Sequence, residues 1–159
     1  MIERIIATLC YVVQGEQVLM LHRNKQPNLG LWIAPGGKVE IDESPQECAL
    51  RELWEETGIR GRNPKLRGII TEVSPRKDYQ WLIFIFVVRD FEENGLPAHQ
   101  VGKSEGRLAW IPIQKVLELP IPEADSIFFP HVIGDGPIFR AKFVYDSQLG
   151  VVAWEQYKE

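Results

Sequence analysis

Cysteine is scarce in this 159-residue chain, which holds only Cys10 and Cys48. Two cysteines build no disulfide framework, and their separation matches no metal-site spacing, so a reducing compartment is the simplest expectation. Long hydrophobic runs are missing too. The longest, Trp81 to Val88, is eight residues, against the roughly 20 that a membrane-spanning helix needs. Met1-Ile2-Glu3-Arg4 offers no cationic leader or small-residue cleavage site, so a cytoplasmic protein without membrane contact is expected. Basic charge is in deficit: 18 Lys and Arg against 22 Asp and Glu give a net charge of −4. That sign disfavours duplex nucleic acid as a partner, and no basic patch interleaved with aromatics marks an RNA site. Repeats, linkers and low-complexity stretches are also lacking.

What is present is ordinary for a folded domain: 45% hydrophobic, 25% charged and 10% aromatic residues. At this length one domain over 1–159 is expected, hiding roughly 70% of the surface of the unfolded chain. Ile5 to Val13 and Val18 to Leu21 read as two strands joined by a tight turn. Arg23 to Leu31 reads as a polar loop, and Ala34-Pro35-Gly36-Gly37 as a sharp bend outside regular structure. Gly68 to Val73 and Trp81 to Val88 read as further strands, the latter apolar on both faces as a central strand is. Residues 91–106 read as a long loop, Leu108 to Ile111 as a short strand and Pro112 to Leu119 as a short helix. Phe139 to Tyr145 and Val151 to Trp154 close a last hairpin across Asp146 to Gly150. The apolar tail over 151–154 suits internal packing or a dimer contact equally. Strands outnumber helices, and the class is α+β.

One helix is announced with unusual clarity. Ser44-Pro45-Gln46-Glu47 forms a capping box with proline at the first helical position, and Gly58 stands where a left-handed terminator belongs. A helix from Pro45 to about Thr57 is predicted. At about 100° per residue, Leu50, Leu53, Trp54 and Thr57 share one face, while Glu52, Glu55 and Glu56 converge on the other. Such glutamates are commonly a solvated face, and Arg51 with Glu55 is an ordinary i, i+4 pair. Clustered carboxylates are also what a hard divalent cation such as Mg²⁺ binds, and here they stand behind a glycine loop.

Read as a whole, the stretch from Gly37 to Ile59 resembles the Nudix box. That pattern is Gly, five residues, Glu, seven residues, Arg-Glu-hydrophobic, one residue, Glu-Glu, one residue, Gly-hydrophobic. Gly37, Glu43, Arg51-Glu52-Leu53, Glu55-Glu56 and Gly58-Ile59 fill every specified position. With single residue types at roughly 5–7% each, chance supplies the seven fixed residues less than about once in 10⁸ starts. The resemblance extends over nearly the whole chain and implies an α/β/α sandwich around a mixed sheet. It also implies hydrolysis of a nucleoside diphosphate linked to another group. Carried over residue by residue, Glu52, Glu55, Glu56 and the Gly36 carbonyl would hold Mg²⁺, with Mn²⁺ a substitute. Arg51 and Glu43 would orient those carboxylates. Glu105, in Lys103-Ser104-Glu105-Gly106-Arg107, is the matching outside candidate for general base and metal ligand, and suits an ordinary loop glutamate equally.

Within the family, the chain looks most like MutT-type enzymes that hydrolyse oxidised purine nucleoside triphosphates. Gly36-Gly37-Lys38-Val39 and Asp125-Ser126-Ile127-Phe128-Phe129-Pro130 carry that likeness. Thr8, Trp81, Asp125 and Phe128 fall at its pocket positions, and Arg23 and Lys38 are cations suited to phosphates. Ile33 stands where the mammalian pocket has an asparagine, and Ala124-Asp125 where it has adjacent aspartates. Pro75 lies near where ADP-ribose-hydrolysing relatives place a proline. Thr8 also reads as a strand threonine, and Trp81 and Phe128 as core aromatics. The expected partner is a small-molecule nucleotide, bound by a monomer or homodimer. A pyrophosphatase acting on ADP-ribose or dinucleoside polyphosphates, and a nucleotide-sensing module without turnover, are the alternatives.

Overall fold

A computed structural model describes residues 3–93 and 105–158. Its elements run β1 (Ile5–Gln14), β2 (Gln17–Arg23), β3 (Trp32–Ile33), β4 (Gly36–Lys38) and α1 (Pro45–Thr57). They continue with β5 (Ile59–Arg62), β6 (Lys65–Val73), β7 (Trp81–Val88), β8 (Asp90–Glu93) and β9 (Gly106–Pro112). A 3₁₀ turn (Ile113–Glu118), α2 (Glu123–Ile133), β10 (Phe139–Tyr145) and β11 (Val151–Tyr157) complete the chain.

Among the described residues the main sheet is mixed, in the order β11-β10-β6-β7-β1-β2-β3, with β4 also on β1 and β9 on β2. The pairs β1–β7 and β10–β6 are parallel and the rest antiparallel. The two helices cover opposite faces. Because side chains alternate along a strand, Cys10 and Val12 of β1 point to one face and Tyr11 and Val13 to the other. The first pair packs with Leu53 and Ala49 of α1, the second with Phe128, Phe129 and Val132 of α2. This is an α/β/α sandwich.

Helix α1 has the ends its sequence predicts. Ser44 accepts a hydrogen bond from the Glu47 amide, the Glu47 carboxylate accepts one from the Ser44 amide, and Gly58 is left-handed at φ 76°. Its faces are turned from the expected ones. The buried residues are Cys48, Ala49, Leu53 and Thr57. Leu50 and Trp54 are only partly covered, and Trp54 lies under the Arg60 guanidinium. Glu52 and Glu56 therefore sit beside the buried stripe, not opposite it, and Glu55 alone faces fully outward.

Several elements differ from expectation for local reasons. Gly36 and Gly37 belong to β4, a short strand pressed against Leu9 and Thr8 of β1, so the bend is in fact paired backbone. The region read as a loop over 91–106 begins with β8, paired to β5, and 94–104 lies outside the described residues. The segment at 113–118 is 3₁₀, and α2 was not anticipated, because Pro130 stands inside it and its N-cap, Pro122, makes no side-chain cap bond.

Candidate active site

The glycines of β4 are dictated by close approach. A β-carbon on Gly36 would lie 2.0 Å from the Thr8 carbonyl oxygen, so only glycine lets β4 reach β1. A β-carbon on Gly37 would lie 2.4 Å from the Glu52 carboxyl carbon. The loop thus brings backbone directly against a helix carboxylate. Beneath it, Cys48 reaches the Gly37 and Lys38 carbonyls through its thiol, at 3.6 and 3.4 Å.

Arg51 organises the acids around it. Its Nε and Nη2 donate to Glu43 at 2.6 and 2.9 Å, its Nη1 to Glu52 at 2.7 Å and to Glu55 at 3.0 Å. Nη2 also donates to the Lys38 carbonyl at 3.3 Å, tying helix to loop. The Glu43 carboxyl is drawn down to about 2 by that guanidinium. Glu55 is more than half exposed and spends its carboxylate on Arg51.

Glu56 has no such cation among the described residues. Its carboxyl is pushed up to about 9, first by burial, then by the neighbouring Glu52 charge and by Glu105, with a backbone hydrogen bond at Gly36 opposing. One of its oxygens, Oε2, is buried with no hydrogen-bond partner among the described residues. Glu105 approaches from the start of β9, held by Arg23 at 3.4 Å and Lys25 at 3.6 Å. Among the described residues no three acids, histidines or cysteines already stand as a closed metal cluster. Of the expected Glu52, Glu55 and Glu56, Glu52 lies with Glu56, approached by Glu105, while the Glu55 carboxylate is paired with Arg51. Mutual repulsion and an orphaned buried oxygen are nonetheless the electrostatics of a site that fits a divalent cation.

The remaining predicted residues divide. Thr8 is 1% exposed, its hydroxyl 3.4 Å from the Cys48 thiol under α1. It pairs with Phe84 on the α1 face, so its side chain belongs to that layer and is withdrawn from the pocket set. Phe128 is 1% exposed in the core under α2 and is likewise a packing residue. Arg23 is spent on the Pro27, Lys25 and Gln26 carbonyls besides Glu105, and Lys38 is exposed at the end of β4. Trp81 and Asp125 lie on the α2 side. Trp81 meets Tyr79 edge-on at 5.9 Å, and its indole N–H is buried without a partner among the described residues. Asp125 is kept well above the usual carboxylate range by burial and by the Glu72 charge.

Glu72 itself is a residue that motif reading missed. It accepts from the hydroxyls of Tyr79, at 3.3 Å, and Tyr145. The available signal was its parity: Glu72 follows Ile70 at the strand spacing of two, so a charge stood where the core face was due.

Comparison with known proteins bears on the family and the fold. A family model described as NUDIX domain matches residues 3–132. The crystal structure of a mutator MutT protein from Bacillus halodurans superposes with a TM-score of 0.84 at 35% identity, over 98% of this chain and 99% of that one. The uncharacterized Nudix hydrolase YvcI of Bacillus subtilis is 28% identical over 92% of this chain and 90% of its own. Diphosphoinositol polyphosphate phosphohydrolase 3-alpha of Mus musculus is 28% identical over 71% of this chain and 66% of its own.

Proposed function

The chain belongs to the Nudix family of hydrolases, and from that premise we propose that it cleaves a purine nucleoside triphosphate, oxidised or not, to the monophosphate and pyrophosphate. Nudix hydrolases act generally with divalent metals such as Mg²⁺. The observation that carries the reading is the Glu56 carboxylate, buried beside Glu52 with one oxygen unpartnered.

Glu52, Glu56 and the Gly36 carbonyl would hold Mg²⁺ or Mn²⁺, with Glu105 closing the site. The bound cation would neutralise phosphoryl oxygens and make a bound water easier to deprotonate. Arg51 fixes Glu52 through a short hydrogen bond, and Glu43 fixes Arg51 in turn. Water attacks one phosphorus, the new P–O bond forms as the bridging P–O bond breaks, and pyrophosphate leaves. A carboxylate at this end of α1, or Glu105, takes the proton from the water. The base would sit on the α2 face, against Trp81 and Asp125. Such an enzyme would clear unwanted purine triphosphates from the nucleotide pool, in a cytoplasmic setting.

Glu56→Gln tests the assignment. The amide is neutral where burial and the Glu52 charge already disfavour an anion, so the metal-free protein is expected to melt no lower than wild type. Turnover is expected to fall about a thousandfold, roughly 4 kcal/mol of transition-state stabilisation. The rise in melting temperature on adding Mg²⁺ should also disappear. Wild-type turnover in the variant would remove Glu56 from the site.

A further inference from the structure

Strand β4 is three residues long and, among the described residues, pairs with β1 alone. Its register fixes which way its carbonyls face. The Cys10 amide donates to the Pro35 carbonyl at 2.7 Å, and the Val39 amide to the Ile6 carbonyl at 2.9 Å. Bonded pairs alternate along an antiparallel ladder, so Gly37 turns its amide and carbonyl toward Thr8, its partner on β1. Gly36 and Lys38, on either side, turn theirs off β1 and toward α1. On that outer edge the Lys38 carbonyl meets Arg51 Nη2 at 3.3 Å and the Cys48 thiol at 3.4 Å. The Gly36 carbonyl stands on the same edge, two residues back, and is the one offered to a cation.

So short a strand needs anchoring from both edges to hold one carbonyl in place. Arg51 supplies part of the outer anchor, but its guanidinium is also divided among Glu43, Glu52 and Glu55. Cys48 supplies the rest. It is fully buried one turn into α1, its amide on the Ser44 carbonyl at 2.9 Å. Its sulfur touches three elements: the Gly37 and Lys38 carbonyls of β4 at 3.6 and 3.4 Å, the Thr8 hydroxyl of β1 at 3.4 Å, and Arg51 Nη2 on α1 at 3.8 Å. Counting protons orders these contacts. Carbonyl oxygens only accept, so the thiol gives its single proton to β4. The Thr8 hydroxyl is then the donor to the sulfur, as the guanidinium is. The resulting chain runs from β1 through Cys48 to the outer edge of β4.

We infer that Cys48, oriented by the Thr8 hydroxyl, is a positioning residue for the cation site: it holds the outer edge of β4 against the first turn of α1, so that the Gly36 carbonyl stands where Glu52 and Glu56 can share an ion with it. The inference rests on the reading of Gly36, Glu52 and Glu56 as cation ligands and adds what keeps the backbone ligand in register with the two on the helix. Thr8, buried and withdrawn from the nucleotide pocket, gains its role here. Both residues act through β4.

The test is a titration of the protein with Mn²⁺ alone, the free ion followed by electron paramagnetic resonance, alongside thermal melts and purine triphosphate turnover across a range of Mg²⁺ concentration. Cys48→Ala and Thr8→Val are expected to bind Mn²⁺ about tenfold more weakly than wild type, the scale on which groups that orient metal ligands act. The Mg²⁺ needed for half-maximal turnover should rise to match, with kcat at saturating Mg²⁺ and the nucleotide KM unchanged. Cys48→Ser, which restores a donor, should recover most of the affinity. Cys10→Ala, at the other buried cysteine, is the packing control and should melt lower with wild-type Mn²⁺ binding. Cys48→Ala and Thr8→Val that melt lower but bind Mn²⁺ as wild type does would reduce the pair to packing and overturn the inference, leaving the cation site standing. Cys48→Ser as weak as Cys48→Ala, or Cys10→Ala weakened equally, overturns it too. If Cys48→Ala does not fold, Thr8→Val decides alone. Wild type that binds no Mn²⁺, or Glu56→Gln that binds it as tightly, strikes the cation site itself and the inference with it.

Discussion

Gly36 and Gly37 are neighbours with identical side chains, and the structure gives them different work. Alanine at 36 would drive a β-carbon into the backbone of β1, at 2.0 Å from the Thr8 oxygen, and neither strand can yield cheaply. Alanine at 37 would meet only the tip of Glu52, at 2.4–2.7 Å, which can swing away. Gly36→Ala is therefore expected to cost several kcal/mol of stability, of the order seen for overpacking. Gly37→Ala should keep its fold and lose about 100-fold in turnover through a displaced carboxylate. Thermal melts beside kcat/KM separate the two, and an active Gly37→Ala would detach Glu52 from catalysis. Glu43 makes a residue-scale prediction in pH. Its folded value of about 2 lies below its ordinary 4.5, so its pairing with Arg51 stabilises the protein above 4.5 and is lost as pH falls toward 2. Glu43→Gln should be less stable than wild type at neutral pH, the difference closing across that window in denaturant titrations. These residues were legible in sequence because box spacing puts Arg51 on α1 within reach of Glu52 and Glu55, and of Glu43 just before the helix. Glu72 was not, since its tyrosines lie 7 and 73 positions away.

At the scale of elements, α1 and α2 make a contrast. Helix α1 carries its boundaries in its own residues: reciprocal Ser44 and Glu47 bonds, Pro45 inside the start and Gly58 after the end. Ser44→Ala should cost about 1 kcal/mol, measured by chemical denaturation, because the Glu47 amide loses its acceptor. A loss near zero would mean that tertiary packing alone holds the turn. Helix α2 has no side-chain cap bond and an internal proline, so its formation depends on burying Phe128, Phe129 and Val132. No local signal declared it. The glutamate face of α1 was misread for a related reason. Periodicity places side chains relative to one another, but the sheet decides which arc is covered, and it covers the Ala49–Leu53 arc beside Glu52 and Glu56. That displacement is what buries Glu56 enough to raise it.

In the whole molecule, one sheet separates two groups of polar side chains. The α1 face, with β4 and the start of β9, gathers Glu52, Glu56 and Glu105. The α2 face gathers Trp81, Asp125 and Glu72. Strand β1 passes between them, and its alternation explains why Thr8 went to the first face and Leu9 to the second. The mixed sheet, the sandwich and the box were readable from the chain, since they follow from strand alternation and fixed spacing. The polar groups of the α2 face were only partly readable, because they are assembled from β6, β7, β10 and α2 at once.

The most direct test of the account is a Mg²⁺-dependent hydrolysis panel with products resolved by chromatography. It should include 8-oxo-dGTP, 2-hydroxy-dATP, the ordinary dNTPs, ADP-ribose, diadenosine polyphosphates and a diphosphoinositol polyphosphate. The account predicts selective release of pyrophosphate and a monophosphate from a purine triphosphate, abolished by chelation and by Glu56→Gln. Preference for ADP-ribose, dinucleotide or inositol substrates, or no turnover with nucleotide binding intact, would contradict it.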